Sequence, residues 1–545
     1  MDEDGAHRAA GIDFAKAKRL MKILLASSEV EPYSKSGGLA DMAGALAKFL
    51  CRAGHEVGLV TPLYRGIRDR FPDLRELDLR LELPLGRERV QAKVCTLSRE
   101  GAGQKSSPGR HVFLGGAAAP PYREEFCPTP SPVNGPTLYF IDHPAYYDRA
   151  GLYGDRGGDY PDNAERFIFF SKCAVNLSRH LPWKPEVLHL HDWQAAAAAA
   201  FVADERSRGG QARLPAVCLT IHNLAYQGTF PAAAFALTNL PPEFFRLDGM
   251  EFYGGMNCLK AGIAYADIIT TVSPRYAREI TTEEYGCGLD GVLRRRQDAL
   301  VGILNGVDYD EWSTSANPYL SHSYSADDLQ GKAANKAELQ RELGLPVRAE
   351  VPLFGTVGRL AEQKGVDIQM GALEEMLAAD MQFVLLGSGA QEFERAYRAL
   401  ALRHPDKCAV RIGFDTALSH RVESACDFFL MPSRFEPCGL NQMYSLRYGT
   451  IPIVRVTGGL DDSVTDATED AARADGIKFT EYSVRALAKA IRKALVLFAE
   501  KEVLDYYRRN GMARDFSWSR TAAAYEEVYR QCSITRPLRR VARPV

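Results

Sequence analysis

The chain has 545 residues, which is too many for a single hydrophobic core, so we expect two domains. Hydrophobic residues make up 46% and charged residues 25% of the sequence, a composition that excludes an intrinsically disordered chain. The formal net charge is −2 and no basic stripe stands out, which argues against nucleic acid as a partner.

The cysteines and the N-terminal extension bear on where the protein works. The eleven cysteines are scattered and include no Cys-x-x-Cys pair, which favours reduced thiols and a cytoplasmic location over a disulfide framework or a zinc site. Residues 1–20 form a polar extension in which Asp2, Glu3 and Asp4 argue against a transit peptide, although a plastid location stays open. The alanine-rich run 195–203 is too short to span a bilayer, so we expect no membrane partner and interpret the run as a buried helix.

The first domain, residues 21–300, is predicted to begin with a βαβ unit that has a right-handed crossover. The stretch 100–136 is rich in Gly, Pro, Ser and Ala, which indicates a surface insertion. Apolar runs and helical spacing predict the strand Lys22–Ser28, the helix Leu39–Ala53 and the strands Glu56–Thr61, Val187–Leu190 and Ala216–Ile221.

A second series of alternating strands and helices fills residues 301–510, and a helix near 515–532 is expected to return to the first domain before a basic tail that ends at residue 545. The fold class is therefore α/β, with two Rossmann-like domains facing across a cleft and ligands bound beyond the carboxyl ends of the strands. The predicted strands are Leu353–Val357, Gln382–Leu386, Ala409–Ile412, Phe428–Met431 and Ile451–Val454; the predicted helices are Gly365–Ala379, Ala390–Arg403, Ser419–Ala425 and Leu440–Tyr448.

The loop after the first strand has the composition of an anion-binding turn. Gly37 and Gly38 let the backbone approach a ligand closely, and the following helix directs its free amides at an anion. Lys35 adds a mobile positive charge. The alternative is a plain strand-to-helix turn with an exposed lysine.

Histidines and one aspartate close two further strands. His189 and His191 lie on one face of their strand with no third ligand at a suitable spacing, so no metal site is predicted and His189 is expected to be structural. Asp192 is the better candidate for binding sugar hydroxyls, and His222 can donate a hydrogen bond to one. The alternative for His222 is a core histidine bonded to a backbone carbonyl.

Two cations flank a strand-to-helix turn of the second domain. Arg359 offers a planar fork to phosphate oxygens and Lys364 offers a point charge, so the pair can neutralise a leaving diphosphate without a metal ion. The alternative is two unrelated surface cations.

Residues 434–443, Arg-Phe-Glu-Pro-Cys-Gly-Leu-Asn-Gln-Met, are the most informative segment of the chain. Glu436 is a fixed negative charge beside the N-terminus of a predicted helix. Cys438, Gly439 and Leu440 lead into that helix, whose free N–H groups and dipole attract anions. A carboxylate next to an anion-binding edge suits a donor with a diphosphate leaving group and an electron-poor carbon, so a nucleotide-sugar is predicted.

In this order, the motifs resemble those of bacterial glycogen synthase and plant starch synthase, a family of retaining glucosyltransferases. The resemblance runs from about residue 21 to residue 532, and its motifs lie at 35–39, 191–193, 222–228 and 434–440. It implies the GT-B type of glycosyltransferase fold, ADP-glucose as donor, and the non-reducing end of an α-1,4-glucan (glycogen or starch) as acceptor. It implies no cofactor and no metal.

The resemblance also implies roles for individual residues. The catalytic set is Glu436, His222, Asp192, Lys364 and Arg359. The donor-binding set is Lys35, Gly37, Gly38, Asp41, Asn305, Phe414, Cys438, Gly439, Leu440, Tyr444, Thr457 and Gly458, and Tyr153 borders the acceptor. Within these sets Glu436 lies next to the reacting sugar, and Thr457 with Gly458 completes a phosphate cradle.

Four positions depart from the commonest family pattern: Ser36 and Asn441, which both stand where Thr is common, and Phe414 and Tyr444. Phe414 stands where an aromatic residue near adenine is often Tyr, so stacking is retained and a hydroxyl is lost. Tyr444 stands where many retaining relatives have a second Glu, so the ribose is expected to be held differently.

Three other functions were weighed. One is a glucosyltransferase of the same fold that uses UDP-glucose, and another is a non-catalytic glucan-binding relative. The intact set of charged candidates speaks against the second. A nicotinamide oxidoreductase is the weakest, because neither half carries the dinucleotide fingerprint.

Overall fold

The computed structural model describes residues 19–97, 135–155, 158–209 and 214–535. Nearly all of the predicted extension 1–20 and insertion 100–136, together with the basic tail beyond residue 535, lie outside the described residues.

The first domain is built on a mixed sheet whose strands at one end are antiparallel. Its strands lie side by side in the order Leu300–Gly302, Ile268–Thr271, Ala216–Ile221, Val187–His191, Lys22–Ala26, Glu56–Pro62, Thr137–Asp142, Glu88–Leu97 and Leu74–Leu85. Counted along the chain, the parallel strands have the spatial order 3-2-1-4-5-6-7, which places the reversal of strand order between Lys22–Ala26 and Val187–His191.

The second domain has a fully parallel sheet with the doubly wound order 3-2-1-4-5-6. Its strands lie in the order Cys408–Ile412, Gln382–Gly389, Leu353–Leu360, Phe428–Met431, Ile451–Arg455 and Ile477–Phe479. The reversal falls between Leu353–Leu360 and Phe428–Met431. The predicted α/β class with two Rossmann-like domains is confirmed.

Helices cover both sheets, so the inner parallel strands are buried on both faces. In the first domain the α-helices are Gly38–Arg52, Ile67–Arg70, Pro144–Tyr147, Asn163–His180, Asp192–Ala196, Ala198–Ser207, Cys258–Tyr265, Pro274–Glu279 and Asp290–Arg295, with 3-10 turns at Ala232–Thr238, Pro242–Phe244 and Gln297–Ala299. In the second domain they are Gln330–Glu342, Val366–Met376, Gln391–Arg403, Thr416–Ala425, Asn441–Arg447, Gly458–Ser463, Val484–Ala499 and Lys501–Met512, with a 3-10 turn at Glu362–Lys364. Short strand pairs Thr229–Pro231 with Gly255–Asn257, Glu251–Phe252 with Gly255–Asn257, and Gly154–Asp155 with Gly158–Asp159 complete the described elements.

The last helix, Trp518–Thr535, packs on the first domain. Its Tyr529 hydroxyl lies 2.8 Å from His189 Nδ1, and Cys532 Sγ lies 3.5 Å from the Val217 carbonyl oxygen. Glu526 lies 3.1 Å from His55 of the same domain. The end of the chain therefore crosses from the second domain back to the first.

Two local expectations can be compared directly with the structure. The alanine-rich run is buried, but a break at Ala197 divides it into the helices Asp192–Ala196 and Ala198–Ser207. The ten cysteines of the described residues are all free thiols. Within the same residues, no helix combines the length and apolar character needed to cross a bilayer.

Candidate active site

Four of the predicted site residues lie at the ends of the strands at which the strand order of each sheet reverses. In the first domain, Lys35 follows the strand Lys22–Ala26, and Asp192 follows the strand Val187–His191. In the second domain, Arg359 ends the strand Leu353–Leu360, and Glu436 follows Phe428–Met431. Because loops diverge to opposite faces at such a point, each sheet forms a crevice there.

The loop after the first strand presents amides and a lysine to open space. Gly37 has extended backbone (φ −164°) and directly precedes the helix Gly38–Arg52. A Cβ atom added at Gly37 or Gly38 would meet no protein atom within 4 Å, so room remains beside both glycines. Lys35 Nζ lies 2.6 Å from Asp41 Oδ1, which places Asp41 as a support for this loop. Burial opposes the charge of Lys35, but attraction to Asp41 and Glu31 outweighs it and raises the pKa of the ammonium group.

A buried carboxylate, Glu29, joins this loop to the predicted acceptor side. Its Oε1 atom accepts hydrogen bonds from the Tyr153 hydroxyl at 2.6 Å and from the Ser36 hydroxyl at 2.7 Å, and Oε2 accepts from the Ser36 amide. Burial raises the pKa of Glu29, although these hydrogen bonds oppose the effect. Sequence reasoning missed this residue, and the available signal was an acidic side chain placed immediately after a buried strand.

Asp192 and His222 meet at the neighbouring strand ends. Asp192 Oδ1 accepts a hydrogen bond from the His222 amide at 2.7 Å. The backbone of Asp192 is left-handed (φ +54°), an uncommon conformation that Asp and Asn tolerate better than most residues. Burial raises the pKa of Asp192 to about 7, against the lowering effect of hydrogen bonds from the His222 and Asn223 amides.

Three histidines line this part of the first domain. His189 is fully buried and bonds to the Tyr529 hydroxyl and, at 2.6 Å, to Thr220 Oγ1, so it is structural as expected. His191 Nδ1 lies 3.1 Å from His222 Nε2. Burial lowers the pKa of His222 to about 3 and holds that of His191 well below its usual value, so both rings are neutral at physiological pH.

The second domain pairs one of the predicted cations with the predicted carboxylate. Lys364 Nζ lies 2.6 Å from Glu436 Oε2, and the Ser433 hydroxyl donates to the same oxygen at 3.0 Å. Glu436 is only 5% exposed, whereas Arg359 is exposed and its guanidinium forms no hydrogen bond or ion pair with the described residues. The structure therefore contains a paired carboxylate and a guanidinium that remains open to a ligand.

The segment after Glu436 turns into a short helix, as predicted. Gly439 has φ +70°, and a Cβ atom there would lie 2.5 Å from Gln442 Oε1, so the turn requires glycine. Leu440 precedes the helix Asn441–Arg447. Cys438 is buried beside the backbone of Asn305, a residue that is itself 7% exposed and has an unbonded, buried Oδ1.

Two aromatic side chains were predicted to lie near the nucleotide. Phe414 follows the strand Cys408–Ile412 and is 59% exposed. Tyr444 stacks on Trp312 with ring centroids 3.5 Å apart. Burial raises the pKa of Tyr444 well above its usual value, and the negative charge of Asp41 adds to the effect. Asp41 of the first domain is thus close enough to act on Tyr444 of the second.

The predicted phosphate cradle at Thr457 and Gly458 has a different partner. The Gly458 amide donates to both carboxylate oxygens of Glu279, at 3.0 and 3.1 Å, and Thr457 Oγ1 lies 3.4 Å from each. In this arrangement a carboxylate of the first domain accepts the hydrogen bonds of the Gly458 amide, which was expected to face the donor. The turn also supports Glu436, whose carbonyl accepts from the Gly459 amide at 3.1 Å.

This contact is one of several hydrogen bonds and ion pairs that join the two domains. Arg275 Nη1 lies 2.8 Å from Asp461 Oδ2, and the Arg275 amide donates to Asp462 Oδ2 at 2.6 Å. Ser273 Oγ donates to the Pro437 carbonyl at 2.8 Å. Asp461 and Asp462, in the helix Gly458–Ser463, therefore bind the first domain.

Comparisons with known proteins identify the same family of enzymes over most of the chain. Residues 22–295 match the family model described as starch synthase catalytic domain, and residues 340–511 match glycosyl transferases group 1. The chain is 46% identical over 511 residues to a glycogen synthase of Anaeromyxobacter dehalogenans (strain 2CP-C), covering 94% of this chain and 99% of that protein. It is 42% identical over 516 residues to a glycogen synthase of Koribacter versatilis, covering 95% and 99%.

The chain is also similar to solved structures of glycosyltransferases. The catalytic domain of starch synthase IV from Arabidopsis thaliana, bound to ADP and acarbose, superposes with a TM-score of 0.80 at 32% identity, covering 95% of this chain and all of that one. A sucrose-phosphate synthase from Thermosynechococcus elongatus shares the fold, with a TM-score of 0.56 at 17% identity, covering 94% and 98%.

Proposed function

Because the chain belongs to the family of bacterial glycogen synthases and plant starch synthases, we propose that it transfers glucose from ADP-glucose to the non-reducing end of an α-1,4-glucan with retention of configuration. The observation that carries the proposal is the Glu436–Lys364 pair at the reversal of strand order, with the exposed Arg359 near the end of the adjacent strand. A buried carboxylate paired with a cation suits a reaction in which an anion leaves while positive charge develops on a sugar.

The donor phosphates would lie between the domains. Arg359 and Lys364 would bind the departing diphosphate, and the helix N-terminus near Gly439 and Leu440 would add its dipole. Lys35 and the amides around Gly38 would approach from the first domain, where the glycines leave room. The nearness of Asp41 to Tyr444 supports this convergence.

The sugar and the base would contact separate groups. Asp192 and His222 would hold the transferring glucose, Asn305 would reach it from the hinge, and Tyr153 would border the acceptor. The exposed ring of Phe414 would stack on the nucleobase, since every base offers a π-face to an aromatic side chain. Tyr444 would lie near the ribose.

The chemistry we propose is a front-face displacement. The bond from the anomeric carbon to the diphosphate oxygen breaks first, which leaves an oxocarbenium-like glucosyl group next to Glu436. The acceptor 4-hydroxyl then forms the new bond from the same face, and its proton passes to the leaving phosphate oxygen. Glu436 stabilises the positive charge, and the cations stabilise the negative charge. Closure of the cleft would exclude water that otherwise hydrolyses the donor.

The choice of ADP-glucose over UDP-glucose is tested by initial rates of nucleotide release with each donor. We expect faster release from ADP-glucose, strong dependence on added glycogen, and no loss of rate in EDTA, because protein cations take the place of a metal. Faster release from UDP-glucose would overturn the choice of donor. Binding of glycogen without nucleotide release would instead indicate a non-catalytic glucan-binding protein.

A further inference from the structure

His191 is a fully buried histidine that lies beside the candidate site without facing a ligand. Its Nδ1 atom lies 3.1 Å from Nε2 of His222. Its other nitrogen, Nε2, is buried and has no hydrogen-bond partner among the described residues. This combination of one shared and one unused nitrogen restricts where the ring protons can be.

The hydrogen bond between the two rings has two possible directions. Each neutral ring carries one N–H and one lone pair, and burial keeps both rings neutral by lowering their pKa values. In the first arrangement His191 Nδ1–H donates to His222 Nε2, and the proton of His222 is then on Nδ1. In the second, His222 Nε2–H donates to His191 Nδ1, and the proton of His191 is then on its buried Nε2.

The unused nitrogen of His191 decides between them. The second arrangement buries an N–H group that has no acceptor among the described residues, and orphaned buried N–H groups are rare in proteins. The first leaves only a lone pair unused at the same position, and unpaired acceptors are tolerated somewhat better than unpaired donors. The first arrangement is therefore favoured.

We propose that His191 is a positioning residue that holds His222 in the Nδ1–H tautomer, so that His222 offers a hydrogen-bond donor to the ligand. Nδ1 of His222 has no partner among the described residues and is not among their buried, unbonded atoms. The His222 backbone amide donates to Asp192 Oδ1, so the same residue also holds a carboxylate at the end of its strand. A sugar hydroxyl can accept from the ring and donate to the carboxylate, an inference that rests on the proposed function.

The tautomer can be measured without any substrate. We expect nitrogen-15 spectra of the histidine-labelled full chain, with His222 assigned by its loss in His222→Gln, to show His222 protonated on Nδ1 and unprotonated on Nε2 at pH 7.5. In His191→Phe this preference should be lost, whereas His191→Asn, whose amide nitrogen lies near the position of Nδ1, should retain it. His189→Gln is the matched control, because His189 is equally buried but bonds to Tyr529 and Thr220.

Two results would overturn the proposal: a wild-type His222 protonated on Nε2, or an unchanged spectrum in His191→Phe. If His191→Phe does not fold, His191→Asn provides the test. Loss of the Nδ1–H signal of His222 in His191→Asn would contradict the proposal equally. With ADP-glucose we expect His191→Phe to lower kcat/KM by about 5- to 10-fold, the effect of one neutral hydrogen bond, and His191→Asn to restore most of it. Should wild type show the expected spectrum and no glucosyl transfer at all, the proposed function fails and the role of His191 stands.

Discussion

Replacing Asp192 by Asn should make the protein more stable above neutral pH and less active at the same time. Asp192 is 8% exposed and its left-handed backbone suits Asn equally well. The Asn side-chain oxygen can still accept from the His222 amide, as Asp192 does at 2.7 Å. The substitution therefore removes a charge and leaves the shape and this hydrogen bond in place.

The size of the expected stability change follows from the pKa of Asp192. Burial raises the pKa of Asp192 to about 7, compared with about 3.9 for an Asp in an unfolded chain. The folded protein therefore binds this proton more tightly than the unfolded chain does, so the associated stability is complete below about pH 4 and is lost as the pH rises through 7. At about 1.4 kcal/mol for each pKa unit, the loss avoided by Asn is up to about 4 kcal/mol at pH 8.

The assay is thermal or denaturant unfolding of wild type and Asp192→Asn at intervals from pH 5 to pH 9. We expect the free energy of unfolding of the variant to exceed that of wild type by an amount that grows as the pH rises. Its rate of glucosyl transfer should be at least tenfold lower, because a sugar contact has lost its charge. Asp162→Asn is the control with opposite sign. Burial alone would raise the pKa of Asp162, but the guanidinium of Arg149 outweighs it and lowers that pKa, so Asn should destabilise the protein at pH 8.

The outcome that refutes this reasoning is an Asp192→Asn protein that is no more stable than wild type at pH 8. An increase in stability of the same size at pH 5 and at pH 8 would also refute this reasoning, because the charge of Asp192 would then not be the cause of the increase.

Three further substitutions address the reaction and the domain contact. Glu436→Gln should lower kcat by hundreds-fold or more while KM for glycogen stays within a few-fold, because a preorganised charge is lost and the shape is kept; near-normal kcat would exclude the role given to Glu436. Phe414→Ala should raise KM for ADP-glucose by about 5- to 150-fold, from about 1–3 kcal/mol of lost stacking, whereas Phe414→Tyr should stay close to wild type. Glu279→Gln should speed hydrogen exchange at the Gly458 amide, since a charge-assisted hydrogen bond contributes about 1.5–3 kcal/mol, and unchanged exchange would show that this contact is not formed in solution.

Much of the fold could be predicted because the parallel strands are apolar runs bounded by glycines and helices. The strands Ala216–Ile221 and Phe428–Met431 have the predicted bounds, and others differ by one to three residues at their ends. The hairpin Leu74–Leu85 with Glu88–Leu97 was missed. Only every second residue is buried along part of it, so its apolar pattern is weaker than that of a strand buried on both faces.

The site could be predicted in its charged residues but not in its connections. A single residue such as Glu436 stands out because a carboxylate precedes a glycine turn and a helix. The roles of Glu29 and Glu279 depend on partners far away in sequence, Tyr153 and Gly458, and no local pattern signals such a pair. For the same reason the amide of Gly458 was assigned to the donor, although a carboxylate of the other domain is bonded to it here.

The central claim is that cations and amides of both domains converge on the diphosphate while Glu436 lies next to the anomeric carbon. A crystal structure of the full chain with bound ADP tests it most directly, through the distances from the phosphate oxygens to the charged side chains. We expect Arg359 and Lys364 within hydrogen-bond distance of those oxygens, with Lys35 and the amide of Gly38 on the opposite side. ADP bound with these three side chains directed away from its phosphates would contradict the account.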